Sequence, residues 1–161
     1  MADIKSLLKE LYILAIDTPE VERLQLQYNP TTISYNRSAQ ITNVGIVGRN
    51  DQLHHYVTGE TTVSFDLDFY SLEKARTDVK TKIKWLESLA YSGGDRPPSR
   101  VKLVLGELFR DEIWILRSVN VTYSVFEAAT KWLPLYATAS LSFVRDTEDD
   151  LTSDDIRTQS F

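Results

Sequence analysis

Two long alternating runs near the C-terminus, Ile113 to Phe126 and Pro134 to Arg145, constrain this chain more than any other feature. In the first, Ile113, Ile115, Val119, Val121, Tyr123 and Val125 share one parity, with Arg117 as the interruption. Trp114, Leu116, Ser118, Asn120, Thr122, Ser124 and Phe126 take the other. In the second, Leu135, Ala137, Ala139, Leu141 and Phe143 alternate with Tyr136, Thr138, Ser140, Ser142 and Val144. A period of two over that length predicts strands, with one side-chain set on a core face and the other outside. Both strands would be about twice the usual ~5–6 residues. This reading puts the Ile113–Val125 parity in the core and leaves Trp114, Leu116 and Phe126 on an outer face that is half apolar. Such a face on a long sheet points to a neighbouring subunit rather than free solvent.

Composition narrows the class without naming a reaction. At 161 residues, 42% hydrophobic and 25% charged, the chain reads as one globular domain. Without cysteine it has neither disulfides nor thiolate metal sites. No apolar run reaches the ~20 residues of a membrane helix, and Met1 to Glu10 lacks the apolar stretch of a secretory signal. The sequence therefore predicts no membrane association. A net charge of −5 argues against a role in gripping phosphates, which needs Lys and Arg in excess on one face. The ordinary reading of that charge is solubility; the sharper one is a wall that repels nucleic acid passing it.

Along the chain, Ile4, Leu7, Leu8 and Leu11 have helical spacing behind a candidate cap, Asp3. Leu11 to Ile16 and Arg23 to Tyr28 read as strands around the turn Asp17-Thr18-Pro19-Glu20. Ile33 to Val47 predicts a strand or two leading into a long loop from Gly48 to Glu60. Thr61 to Tyr70 alternates clearly, with Val63, Phe65, Leu67 and Phe69 inward and Ser64, Asp66 and Asp68 outward. Ser71 to Ala90 predicts the one helix of the middle region, its stripe made by Val79, Ile83, Leu86 and Ala90 and widened by Trp85 and Leu89. Val101 to Gly106 is a further strand. The expected organisation is an N-terminal helical arm (1–10), a β domain (11–145) and an acidic tail (146–161). The expected fold is mainly β with one flanking helix, as an antiparallel barrel or sandwich.

Catalytic constellations are missing. His54-His55 would need further ligands to hold a metal and reads as an ordinary polar loop. Asp66 and Asp68 share a strand face, as hydrolase carboxylates do, but no acid–base partner pattern accompanies them, so they read as a solvated face. Neither a phosphate-binding glycine loop nor a nucleophile elbow occurs. The expectation is a protein that is not an enzyme and takes no cofactor. Of three tryptophans, Trp85 falls in the helix stripe, whereas Trp114 and Trp132 are open to an interface or a core role.

The order of these signals resembles a tail-tube-like family of contractile phage tails and related injection systems. Leu24-Gln25-Leu26-Gln27-Tyr28-Asn29-Pro30-Thr31 is similar to its opening strand, and Val63 to Phe69 to its next. Asp78 to Ala90 resembles its helix, and Arg96-Pro97-Pro98 with Val101 to Gly106 its proline-led strand. Ser118 to Phe126 with Leu133-Pro134-Leu135-Tyr136-Ala137 resembles its closing hairpin. The resemblance spans about Leu11 to Arg145.

It implies a baseplate hub or tube-initiator protein in the virion, assembled in the host cytoplasm. Such a protein forms a ring, of six copies, between the central spike and the tail tube. Its partners are its own copies, the tail tube protein, and the spike, hub and wedge proteins; DNA is met only in transit. Family members often carry a cell-wall-binding LysM module; here Phe161 ends an acidic tail, so that activity is not expected. Tyr136 stands where the family commonly has arginine. In such a ring Thr122, Ser124, Thr138, Ser140 and Ser142 are the candidates for lining the channel. Trp114, Leu116, Phe126, Trp132 and Tyr136 are the candidates for subunit interfaces. Two readings compete: a tube-like component or effector of a bacterial contractile injection system, and a monomeric β-barrel that binds a small ligand.

Overall fold

The alternating segments become strands of a single sheet. The computed structural model describes residues 12–17, 22–26, 28–45, 47–48, 52–71, 78–91, 98–109, 112–128 and 132–146. In chain order they form β1 (Tyr12–Ala15), β2 (Glu22–Gln25), β3 (Ile33–Gly45), β4 (Gln52–Tyr70), α1 (Asp78–Ala90), β5 (Arg100–Val104), β6 (Ile113–Phe126) and β7 (Pro134–Arg145). The strand order is β2-β1-β5-β6-β7-β4-β3, and every neighbouring pair is antiparallel. The protein is therefore mainly antiparallel β with one helix among the described residues, as the sequence predicts. The expected N-terminal helix, most of the acidic tail, and residues 72–77 of the expected helix lie outside the described residues.

One side of the sheet holds the core. Ile13 and Ala15 of β1, Val101 and Leu103 of β5, Val63 to Phe69 in alternation on β4, and Ala137 to Phe143 in alternation on β7 are buried. Helix α1 lies over β6 and β7 and closes that side with Val79, Ile83, Leu86 and Leu89, while Lys80, Lys84 and Glu87 stay exposed. These four recur at the three- and four-residue steps that keep one helical face on a surface. Three strands separate β5 from β3, so a flat sheet would hold them roughly 19 Å apart. Yet Phe109, just after β5, stacks on Tyr35 of β3 with ring centroids 6.4 Å apart and meets Trp114 edge-on at 5.5 Å. The sheet curls around its core.

The register of β6 corrects the face assignment drawn from its sequence. Leu116 pairs with Phe143 and Ser118 with Ser142, so Arg117 is an extra residue in β6, a β-bulge. A bulge shifts the side-chain parity by one. Before it, Trp114 (0% exposed) and Leu116 (2%) face the core, and Ile113 and Ile115 lie half-buried on the other side. After it, Val119 and Val121 pack against the core. Tyr123, on the same side but near the strand end, is 39% exposed. The expected core set is thus right only beyond Arg117. Trp114 and Leu116, expected on the outer face as interface residues, are instead interior.

A second correction concerns residues 48–60. From Gln52 onward this segment is strand, paired with β3 from Ala39 to Gly45. Only Thr62 to Tyr70 of β4 pairs with β7, so the far half of the β3–β4 ladder stands clear of the rest of the sheet. A second irregularity between Arg37 and Ala39 marks where this arm leaves the body, with Ser38 opposite Gly59 and Glu60. A Cβ on Gly59 would come within 2.6 Å of the Ser38 carbonyl oxygen, so only glycine fits this approach. Arg117, in the β6 bulge, reaches Glu60 at 2.8 Å and ties the two irregular points together.

Strand β1 is fastened to β5 beyond their paired residues by Ile16 and Asp17. Asp17 accepts the Arg100 backbone N–H at 2.8 Å and the Arg100 Nε–H at 3.1 Å, and the Ile16 N–H donates to the Arg100 carbonyl at 3.0 Å. The Arg100 guanidinium bond is the main reason the Asp17 carboxyl lies below its ordinary value; partial burial opposes this, and the backbone N–H and the guanidinium charge reinforce it.

Two predictions follow from this frame. Deleting Arg117 removes the bulge and puts Trp114 and Leu116 on the wrong face, which is expected to abolish cooperative unfolding in urea. Arg117→Ala keeps the bulge and is expected to cost less than about 1 kcal/mol, because its ion pair is exposed. For Asp17, the unfolded carboxyl titrates near about 3.9 and the folded one lower. Its contribution is present above that range and is lost as pH falls through the folded value. Asp17→Asn is expected to lower stability by under about 1 kcal/mol near pH 7, with the gap from the parent closing in acid.

A polar sheet face as candidate channel wall

The core constraint sends every second residue of β4, β6 and β7 to the opposite face, and cross-strand pairing brings these into register. Ser64 lies opposite Ser142, Asp66 opposite Ser140, Asp68 opposite Thr138 and Tyr70 opposite Tyr136. On the other flank of β7, Ser118 pairs with Ser142, Asn120 with Ser140, Thr122 with Thr138 and Ser124 with Tyr136. β3 extends the face with Ser34 and Asn36. All five channel-lining candidates, Thr122, Ser124, Thr138, Ser140 and Ser142, therefore share one surface. A cleft of about 320 Å³ is sunk into it, bordered by Ser34, Ser64, Asp66, Asn120 and Ser140.

Within that face, from Thr62 to Tyr70, Ser118 to Ser124 and Tyr136 to Ser142, the outward side chains include two carboxylates and no Lys or Arg. Asp68 is held in place: the Tyr136 and Thr138 hydroxyls donate to its Oδ1 at 2.8 and 2.9 Å. Tyr136, a proposed interface residue, is half-buried and serves this bond in the isolated chain. The sequence alone leaves Asp66 and Asp68 as a solvated strand face. Their parity was readable, but only the β4–β7 register places them beside Thr138 and Ser140.

The remaining interface candidates gather at one end of the sheet. Phe126 and Trp132 flank the β6–β7 connection with ring centroids 5.5 Å apart, and the Glu127 N–H donates to the Leu133 carbonyl at 3.0 Å. Trp132 is 70% exposed. The adjoining Val125 and Trp132 have φ of 55° and 51°, a left-handed backbone that costs a non-glycine residue of order 1–3 kcal/mol.

Toward the opposite end, Ile33, Tyr35, Leu108, Phe109 and Glu112 border a pocket of about 370 Å³. Arg145 approaches Glu112 Oε1 at 3.7 Å, and Oε2 is buried without a hydrogen-bond partner. Burial pushes the Glu112 carboxyl above its ordinary value, against the opposing pull of Arg145 and Arg37. Among the described residues, no three of His, Asp and Glu gather as metal ligands.

Tyr136→Phe removes one of the two hydroxyls on Asp68 and leaves the register intact. It is expected to cost about 0.5–1.5 kcal/mol in urea unfolding. A larger loss would mean that this bond holds the β4–β7 ladder rather than only orienting the carboxylate.

A sheet of this kind presents a polar face, an exposed aromatic tip and a protruding arm. Those are features of a piece that is built into something larger. A search among curated proteins gives no match. A family model, described as contractile injection system tube protein, matches residues 7–154. The chain belongs to the contractile injection system tube protein family, structural components that assemble into a tube.

Proposed function

We propose that copies of this chain form a closed ring, of six subunits, with the polar face of β4, β6 and β7 turned to the lumen. The observation that carries the reading is that face itself: from Thr62 to Tyr70, Ser118 to Ser124 and Tyr136 to Ser142 its outward side chains are mainly hydroxyls, with the Asn120 amide, two carboxylates and no cation. A conduit that passes DNA must not hold it, and a single row of lysines repeated around a ring would bind phosphates strongly. Hydroxyls hydrate the wall, while Asp66 and Asp68 repel the passing polyanion.

In this reading the ring is the hub or tube initiator of a contractile phage tail baseplate, between the central spike and the first ring of the tail tube. β2 and β3 are the two edges of the sheet among the described residues, where the strands of a neighbouring copy could continue the ladder. Closure of the ring removes those edges. Phe126, Trp132 and Tyr136 remain the interface residues of the proposal; α1 would face outward, toward a neighbour or the surrounding wedge. The family description favours one alternative, a tube subunit of a bacterial injection system, in which the same face lines the tube. The nature of the cargo separates the two, and neighbouring genes would reveal it.

The Asp66→Lys, Ser140→Lys double variant tests the wall. Both side chains are exposed, so folding and particle assembly are expected to persist. Six copies would add twelve cations to the lumen, and DNA delivery by intact particles is expected to fall by roughly tenfold or more, most steeply at low salt. Unchanged delivery from normally assembled particles would contradict a lumenal position for this face.

A further inference from the structure

The two ends of the sheet are complementary. One end carries the Trp132–Phe126 pair, where the left-handed backbone of Val125 and Trp132 accompanies a large aromatic ring held outside the core. Strain of this kind is retained where it positions a functional side chain. The other end carries the pocket of Ile33, Tyr35, Leu108, Phe109 and Glu112. Tyr35 pairs with Val63, level with Phe143, and Phe126 pairs with Pro134, nine residues away along β7. At about 3.3 Å per residue the two features lie roughly 30 Å apart, so one chain cannot fill its own pocket.

We propose that Trp132 of one copy docks in the Tyr35–Phe109 pocket of a second copy, with its indole N–H directed to the Glu112 carboxylate. This rests on the reading of the chain as a ring or tube component, and it names the contact between copies. Three properties of the pocket select an indole. Tyr35 and Phe109 already stack, and Phe109 meets Trp114 edge-on, so a further aromatic ring extends an existing cluster. Ile33 and Leu108 supply apolar walls.

The Glu112 carboxylate has one oxygen 3.7 Å from Arg145 and the other without a partner, and an unmade bond at a buried carboxylate is costly. Trp offers one donor on an otherwise apolar body, and the buried Trp114 Nε1–H, which has no hydrogen-bond partner, does not reach this oxygen. Tryptophan is also the residue type most enriched among contacts that dominate binding. A contact between unlike ends is heterologous, so it propagates from copy to copy instead of ending at a dimer.

The test uses the absence of cysteine from the chain. Leu108→Cys, at the pocket rim, and Ala128→Cys, beside the aromatic tip, are made in separate full-length chains carrying different tags. The two are mixed at concentrations where the parent assembles and treated with a short bis-maleimide. The mixed 108–128 product is expected to exceed both homodimers. Adding Trp132→Ala to the Ala128→Cys chain is expected to cut that product roughly thirtyfold or more. Trp132→Phe, which keeps a ring and removes the N–H, is expected to cut it roughly tenfold. Since Trp132 is an exposed side chain, thermal melting should not move.

If the parent assembles but the mixed product does not exceed the homodimers, or survives Trp132→Ala undiminished, this contact is refuted while the ring stands. If the parent remains a monomer at every concentration, the ring and the contact fall together.

Discussion

The fold depends on three adjacent strands turning the same side to the core across an interruption in one of them. β4, β7 and β6 present Phe65, Leu141 and Val119 in one row and Val63, Phe143 and Leu116 in the next. Between those rows β6 gains a residue, Arg117, and its neighbours do not. Without the bulge a strict period of two would turn either Trp114 and Leu116 or Val119 and Val121 to the wrong face. Burying a large apolar side chain is worth about 1.5–3 kcal/mol, so a slip that displaces two of them would cost about 3–6 kcal/mol, a large share of the roughly 5–15 kcal/mol that holds a domain folded. The bulge lets both halves of the strand reach the core, and the long guanidinium side chain at that position remains in solvent, within reach of Glu60.

The polar face is the other consequence of that constraint. Once Val119, Val121, Ala137, Ala139, Leu141 and the alternate residues of β4 face inward, their neighbours have no choice of side. Serines, threonines and asparagine from three strands fall into cross-strand pairs, and the two aspartates of β4 join them. The face therefore does not need a separate folding device. Its chemistry is set by the choice of outward residues on strands whose inward residues hold the protein together. Asp68 is held by two of its neighbours, because the Tyr136 and Thr138 hydroxyls converge on one carboxylate oxygen.

Much of this was legible in the residues. The limits of β6 and β7 coincide with the alternating runs, and the inward set of β4 and the buried stripe of α1 follow from their periods. What periodicity could not supply is registration between strands. Arg117 stood out as a break in the pattern of β6. Whether a break is a tolerated exposed charge or an extra residue depends on the partner strand, so the period of β6 alone puts Trp114 and Leu116 on the side opposite to the one they occupy. The segment from Gln52 to Thr58 read as loop because a two-stranded arm, exposed on its described sides, has no apolar alternation to reveal it. The pocket around Glu112 was hidden for a similar reason: it joins β3 to the end of β5, which are far apart both in sequence and in strand order.

The central claim, that the hydroxyl-rich surface of β4, β6 and β7 bounds a central passage, is tested most directly by a cryo-electron microscopy reconstruction of the assembled particle. The expected result is a ring in which Asp66, Ser140 and Asn120 point to the axis, α1 lies on the periphery, and the sheet edges of each copy continue into those of the next. A reconstruction with α1 at the axis, or with these strands packed against another protein and no passage beside them, would contradict it.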